Sequence, residues 1–298
     1  MKNKASPESI PKITAKQTLL RTGLGINAAF SLLCAVIILN FGKQLAALIG
    51  EVNPLFLQII GFCLLLFAAE LALQVSKGRL STLRALFVSF LDIGWVLASI
   101  VLLVFFPSSL TQNGVIIVSL VAIVVFFCSV LQLSGIYRIH AVPARKTYRH
   151  CVPMIVEASV EDLWSIIGNL DSIAQYAPHI ARSNLVTSKS SGKGSVRECQ
   201  GINGKQWSER CTVYEPNQRL ELKFLTEEPG FPLPVKSMEG GWHLKKLEEG
   251  CCEVRVWWEM EPKVKALALI LMPIFSYLMD RDFKQVINNM AGKGRTGP

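Results

Sequence analysis

Between Thr22 and Tyr137 apolar residues fill four runs with hardly a polar break: Thr22–Phe41, Leu55–Val75, Ala85–Phe106 and Val115–Tyr137. A hydrocarbon layer about 30 Å thick takes roughly 20 residues at 1.5 Å rise each, and every run reaches that length. Lipid offers the backbone no hydrogen bonds, so a spanning segment is a helix or a strand of a closed barrel. The runs do not alternate, which excludes the barrel. The pattern therefore predicts a four-helix membrane bundle over 22–137. A polar segment, 1–21, precedes it, and a linker, 138–147, follows, in which Pro143 stops any helix carried on from the fourth run. Breaks between runs are short and hold turn formers or charge: Gly42-Lys43, Asn53-Pro54, Ser76-Lys77-Gly78-Arg79 and Pro107-Ser108-Ser109.

From 148 to 298 the pattern changes to short elements. His150–Glu157 reads as a strand. Ser159 caps a helix with Asp162 three residues on, a variant of the capping box. Leu163, Trp164, Ile166, Ile167 and Leu170 give that helix its apolar face. A second short helix runs from Asp171 to Tyr176 and stops at Pro178. Strands then follow one another: Ile180–Ser188, a turn at Lys189–Gly194, Ser195–Ile202, Lys205–Tyr214, Arg219–Leu225, Val235–Leu247 and Cys251–Glu261. Asn203-Gly204 is a strong two-residue hairpin signal. Alternation puts Leu220, Leu222 and Phe224 on one face of their strand, and Val254, Val256, Trp258 and Met260 on one face of theirs. Lys263–Ala291 is the closing helix. Its apolar core, Ala266–Met279, is too short to span and contains Pro273, which should kink or split it. Gly292–Pro298 reads as a frayed end.

One strand, two short helices, about six antiparallel strands and a long last helix resemble the helix-grip fold of the START / polyketide-cyclase-like (SRPBCC) superfamily. The residues that carry the likeness are Ala158-Ser159-Val160-Glu161-Asp162-Leu163-Trp164, then Leu170-Asp171-Ser172-Ile173-Ala174-Gln175-Tyr176-Ala177-Pro178-His179-Ile180, and the turn Gly192-Lys193-Gly194 into Ser195-Val196-Arg197. The likeness covers about residues 148–291 and says nothing of the membrane half. It implies a sheet curled around the last helix with an apolar cavity between. The inward rows, with Trp242, would face Leu267, Leu271, Ile274, Phe275 and Leu278. The expected lining is thus Leu220, Leu222, Phe224, Trp242, Val254, Val256, Trp258, Met260, Leu271 and Phe275, suited to an apolar or amphipathic ligand. The same rows equally fill a dry core. The loop Glu227–Pro234, with Phe231 and Leu233, either gates the entrance, touches the membrane or is plain surface.

Charge changes the picture in one respect. The chain is +9 overall, with nine Lys/Arg against four Asp/Glu up to Tyr137 and 22 against 18 beyond it. The first excess sits beside the apolar runs in the order positive, weak, positive, none, positive, which predicts both termini and the soluble domain on the cytoplasmic side. Topology thus accounts for the basic pI without nucleic acid. The eight cysteines form no CxxC and no zinc spacing with histidine, so neither metal nor disulfide framework is expected. No cofactor motif is present.

Four polar residues within the runs, Asn27, Glu70, Asp92 and Gln132, fall at similar depth and are expected to meet in one layer, as a relay or as a clasp between helices. No Lys, Arg or His lies within the runs to pair with the two acids. Outside them, His243 is a strand histidine that could line the cavity, and Glu198 and Glu209 stand on strands that could turn inward. The reading placed first is a membrane-anchored binding module for a lipid-like or other hydrophobic small molecule. A cyclase- or hydrolase-type enzyme on such a substrate is the alternative, then a transporter working through Glu70 and Asp92, then a scaffold. A membrane-protein partner or a second copy stays open.

Overall fold

The structure, a computed structural model, describes residues 10–187 and 190–295. The first nine residues of the 1–21 segment, the last residue of the expected strand Ile180–Ser188, the start of the Lys189–Gly194 turn and the last three residues of Gly292–Pro298 lie outside the described residues. The chain divides into two compact units at Ile139/His140.

The first unit is four helices, α1 (Ile10–Ile49), α2 (Pro54–Ser76), α3 (Thr82–Phe105) and α4 (Gln112–His140). All four are long and apolar enough to cross a membrane. The loop expected at Gly42–Pro54 shrinks to Gly50–Asn53. Lys43-Gln44-Leu45-Ala46-Ala47-Leu48 are good helix formers, and one lysine does not stop them. The irregularity is confined to Phe41 (φ −121°, ψ 23°). Asn53 caps α2 by accepting from the Leu55 N–H at 2.9 Å, with Pro54 in the first helical position, where its missing N–H costs nothing. Ser81 caps α3 by accepting from the Arg84 N–H.

The second unit opens with a surprise for the expected linker. Helix α4 runs to His140, and Ala141–Val142 (β1) at once pairs with Thr147–Val156 (β2). Pro143 does end the helix, but it also presets the backbone for a turn. Val142 and Pro143 carbonyls accept from Arg145 and Lys146 N–H, with Lys146 at φ 57°. Then come α5 (Val160–Ile167), a 3-10 turn at Ser172–Gln175 where a second helix was expected, and six further strands: β3 (Ile180–Leu185), β4 (Val196–Gly201), β5 (Gln206–Glu215), β6 (Arg219–Phe224), β7 (Val235–Glu248) and β8 (Cys251–Pro262). The closing helix is α6 (Ala268–Arg295). Strands lie in one antiparallel sheet in the order β1-β2-β8-β7-β6-β5-β4-β3. This is the helix-grip architecture: the long helix packs on β2 and β8 and shares one core with α5 and the inner rows.

Two features of α6 differ from expectation. Pro273 neither splits it nor ends it. Its buried face is Ala268, Met272, Phe275, Met279, Phe283, Val286, Ile287 and Met290, while Leu267, Leu271 and Ile274 point outward and Leu278 stays out of the core. The stretch Ala266–Met279 holds no charged residue, so it carries no clear face of its own. The face is set further on, where Asp280, Arg281, Lys284 and Asn288 must reach water. Continuing Phe283, Val286, Ile287 and Met290 backwards at 3.6 residues per turn leads to Met279, Phe275, Met272 and Ala268.

Candidate functional site: a cavity gripped between sheet and helix

Between the inner face of the sheet and α6 lies a cavity of about 280 Å³. Strands β6 to β8 supply Leu222, Phe224, Met238, Trp242, Val256 and Trp258. Helix α6 supplies Phe275, Met279, Phe283 and Val286, and the loop before β7 supplies Phe231, Pro232 and Leu233. The rings interlock: Trp258 and Phe283 meet edge to face at 4.6 Å, Phe224 and Phe231 at 6.3 Å. Gly240 and Gly241 also line the wall. A Cβ on Gly241 would sit 2.5 Å from the Leu220 carbonyl, so only glycine lets β6 and β7 approach this closely.

Six of the ten expected lining residues, Leu222, Phe224, Trp242, Val256, Trp258 and Phe275, bound this cavity. Met260 and Leu271 bound a smaller one of about 70 Å³, which shares Leu233 and Phe275 with the first. Leu220 and Val254 line neither. They lie at the end of the sheet where α5 joins the core, and are 1% and 0% exposed. His243 does not line the cavity either. Its neighbours in register are Arg219 and Arg255, on the outer face, and its Nε2 lies 3.3 Å from Glu221.

At one end the lining is polar, and of its members the sequence pattern pointed only to Glu209. Arg197 on β4 and Glu209 on β5 are directly opposite in register and both face inward, 7% and 4% exposed at the side chain. Arg197 donates from Nε (2.9 Å) and Nη2 (2.6 Å) to Glu209 Oε2, and from Nη1 to the Leu170 carbonyl (3.2 Å). Trp207 Nε1 donates to Glu209 Oε1 at 2.6 Å. Burial opposes the Arg197 charge, but the adjoining Glu209 carboxylate outweighs it and holds the guanidinium pKa above its ordinary value. Burial also pushes the Cys199 thiol up to about 12 and Cys211 to about 11. Arg197/Cys199 and Glu209/Cys211 are the inward positions of their strands. The available signal was an ion pair inside an otherwise apolar alternation. Of the two glutamates considered, Glu209 is the inward one. Glu198 stands one residue along from inward-facing Arg197, on the other side of the pleat.

At the rim, His179 Nε2 lies 3.0 Å from Asp282 Oδ2, and Arg281 donates to Asp282 Oδ1 at 2.7 Å. His179 and Asp282 both border the cavity. Among the described residues no group of His, Cys, Asp and Glu could hold a metal ion.

In the first unit, Asp92 accepts from Asn27 Nδ2 at 2.7 Å and from Gln132 Nε2 at 3.1 Å. Ser31 donates to Asn27 and Ser89 to Gln132. Helices α1, α3 and α4 are thereby joined. Glu70 is not in this group: it pairs with Arg84 and accepts from Gln74 at 3.1 Å. Arg84 stands just before the apolar run that begins at Ala85, but α3 begins at Thr82 and carries it to the acid.

An antiparallel sheet gripping a long last helix over an apolar cavity is the helix-grip arrangement. Residues 152–294 match the family described as "Polyketide cyclase / dehydrase and lipid transport". Among solved structures, norcoclaurine synthase from Thalictrum flavum is 13% identical, over 53% of this chain and 94% of that one, at TM-score 0.42. The ZhuI aromatase/cyclase of a Streptomyces species is 14% identical, over 50% and 94%, at 0.39, and XoxI of Bacillus cereus 20%, over 46% and 92%, at 0.38. No curated protein matches the chain.

Proposed function

We propose that the chain is a membrane-anchored binding module that takes up a hydrophobic small molecule, held on the cytoplasmic side by α1 to α4. The observation that carries this is the cavity of about 280 Å³, apolar on nearly every side. An apolar ligand of matching size would fill that space and gain the contacts its lining now lacks. Arg197, Glu209 and Trp207 give the ligand one polar end. The pair is neutral as a whole, so it suits a neutral polar group such as a hydroxyl, phenol or carbonyl. A charged head would leave one partner uncompensated. The tether raises the module's local concentration at the bilayer from which such a molecule comes. The basic flanks of the apolar runs support the cytoplasmic side.

The test is to extract the full chain in mild detergent and identify bound compounds by native mass spectrometry. A co-purifying apolar molecule is expected, and it should disappear in Ala177→Phe, which fills the cavity from its wall. An empty wild-type protein would refute the reading.

The His179–Asp282 pair at the rim favours a second reading, an enzyme of the cyclase or hydrolase kind. In that case Asp282→Asn should hold a compound different in mass from the one held by the wild type. The same compound in both would leave binding alone.

A further inference from the structure

We propose that the outward face at the start of α6 lies in the headgroup layer of a bilayer rich in acidic lipid, and brings the mouth of the cavity to it. The inference builds on the membrane anchoring proposed above, not on what fills the cavity. Val264, Leu267, Ile270, Leu271, Ile274 and Tyr277 are between 36% and 54% exposed. Steps of three and four residues set most of them along one side, opposite Ala268, Met272 and Phe275, which are packed inside. The stripe is therefore the outer side of a docked helix and not the product of a loose end. A face of this size on a water-soluble domain marks a binding surface.

Two observations identify lipid as its occupant. From Lys263 to Met279 the sequence has no acid, and exposed Lys263 and Lys265 stand at the start of the stripe. Beyond it the helix turns to Asp280, Arg281 and Asp282. An apolar face with lysines at its edge suits an acidic lipid surface, and Tyr277 is a residue that favours the interface. The same chain also carries four helices of membrane length, and β1 begins one residue after α4 ends. A bilayer spanned by α4 would thus be tied to the domain by the chain itself. Leu271 belongs to both the stripe and the smaller cavity, which shares Phe275 and Leu233 with the larger one. Docked in this way, the domain can exchange an apolar ligand with the leaflet without passing it through water.

The experiment uses the full chain in nanodiscs with a photoreactive benzophenone amino acid replacing Ile274, and in a second protein replacing Leu247. Leu247 is equally exposed but lies at the other end of the β7–β8 hairpin from Val235 and Pro262. In discs of phosphatidylcholine with about 30% phosphatidylglycerol, lipid adducts at position 274 are expected to exceed those at 247 by about fivefold. They should fall severalfold in phosphatidylcholine alone and in Lys263→Glu/Lys265→Glu. Equal adducts at the two positions, or crosslinks from 274 to a second copy or to the chain itself, would overturn the proposal. Bound ligand is measured on the same samples. Lipid adducts lost with ligand retained sink the docking face alone, and the reverse sinks the cavity reading alone.

Discussion

Glu209→Leu is the most informative single change in the cavity. Arg197 and Glu209 are both almost fully buried, and the carboxylate takes two bonds from the guanidinium and one from Trp207. Removing the acid leaves a cation with one remaining bond, to the Leu170 carbonyl. Breaking a buried pair in this way costs about 3–5 kcal/mol. For a unit of this size about 2–4 °C is lost per kcal/mol, so the unfolding midpoint should drop by roughly 6–20 °C. Five of the six tryptophans stand after Val160, so a thermal scan of tryptophan fluorescence reports mainly this unit. Adding Arg197→Met removes the stranded charge. The double variant should recover most of the loss and stay about 1 kcal/mol short, because Trp207 still lacks its acceptor. A drop below about 3 °C for the single variant, or a double variant no better than the single, would show that the pair is not held as an isolated buried unit.

Two further outcomes follow from the packing. A Cβ on Gly135 would fall 2.6 Å from the Leu20 Cα, so Gly135→Ala should force α1 and α4 apart and lower stability in detergent by about 1–3 kcal/mol, whereas Gly25→Ala, with nothing within 4 Å, should be neutral. Equal melting of the two would refute the close contact. Burial lifts the Cys199 thiol to about 12 and Cys252 to about 11, from an ordinary 9.0. The fold therefore favours the neutral thiol, and that stabilisation is full below pH 9.0 and lost as pH rises through about 11–12. At pH 8 an alkylating reagent followed by peptide mass spectrometry should modify half-buried Cys251 while sparing its neighbour Cys252 and Cys199 until the protein unfolds.

What could be read from the chain was governed by whether one physical effect dominated each stretch. Four long apolar runs leave little room for anything but four long helices, and clean alternation on β6 and β8 put Leu222, Phe224, Val256 and Trp258 at the cavity. Boundaries decided by a balance were read less well. The end of α1 rests on helix formers beyond a single glycine and lysine, and the 138–147 stretch on a proline that serves a turn as readily as a stop. The face of α6 was hidden because Ala266–Met279 carries no charged residue to orient it, and its two polar ones, Ser276 and Tyr277, are neighbours that point apart. Leu220 and Val254 share the periodicity of the lining, and only the position of α5 puts them elsewhere. Arg197 and Glu209 went unpaired on paper because facing across two strands is a matter of register, which depends on the turn at Asn203-Gly204 and not on either strand alone.

Pro273 has an effect that outlasts its failure to break α6. Without an amide hydrogen it cannot bond the carbonyl of Leu269, so the first turn of the helix is joined to the remainder by one rung fewer than any other turn. That turn carries Ala268, Leu271 and Met272, part of the wall of the smaller cavity. The missing rung of the ladder therefore falls beside the smaller cavity, between this turn and the length of helix that packs on the sheet from Phe275 onward.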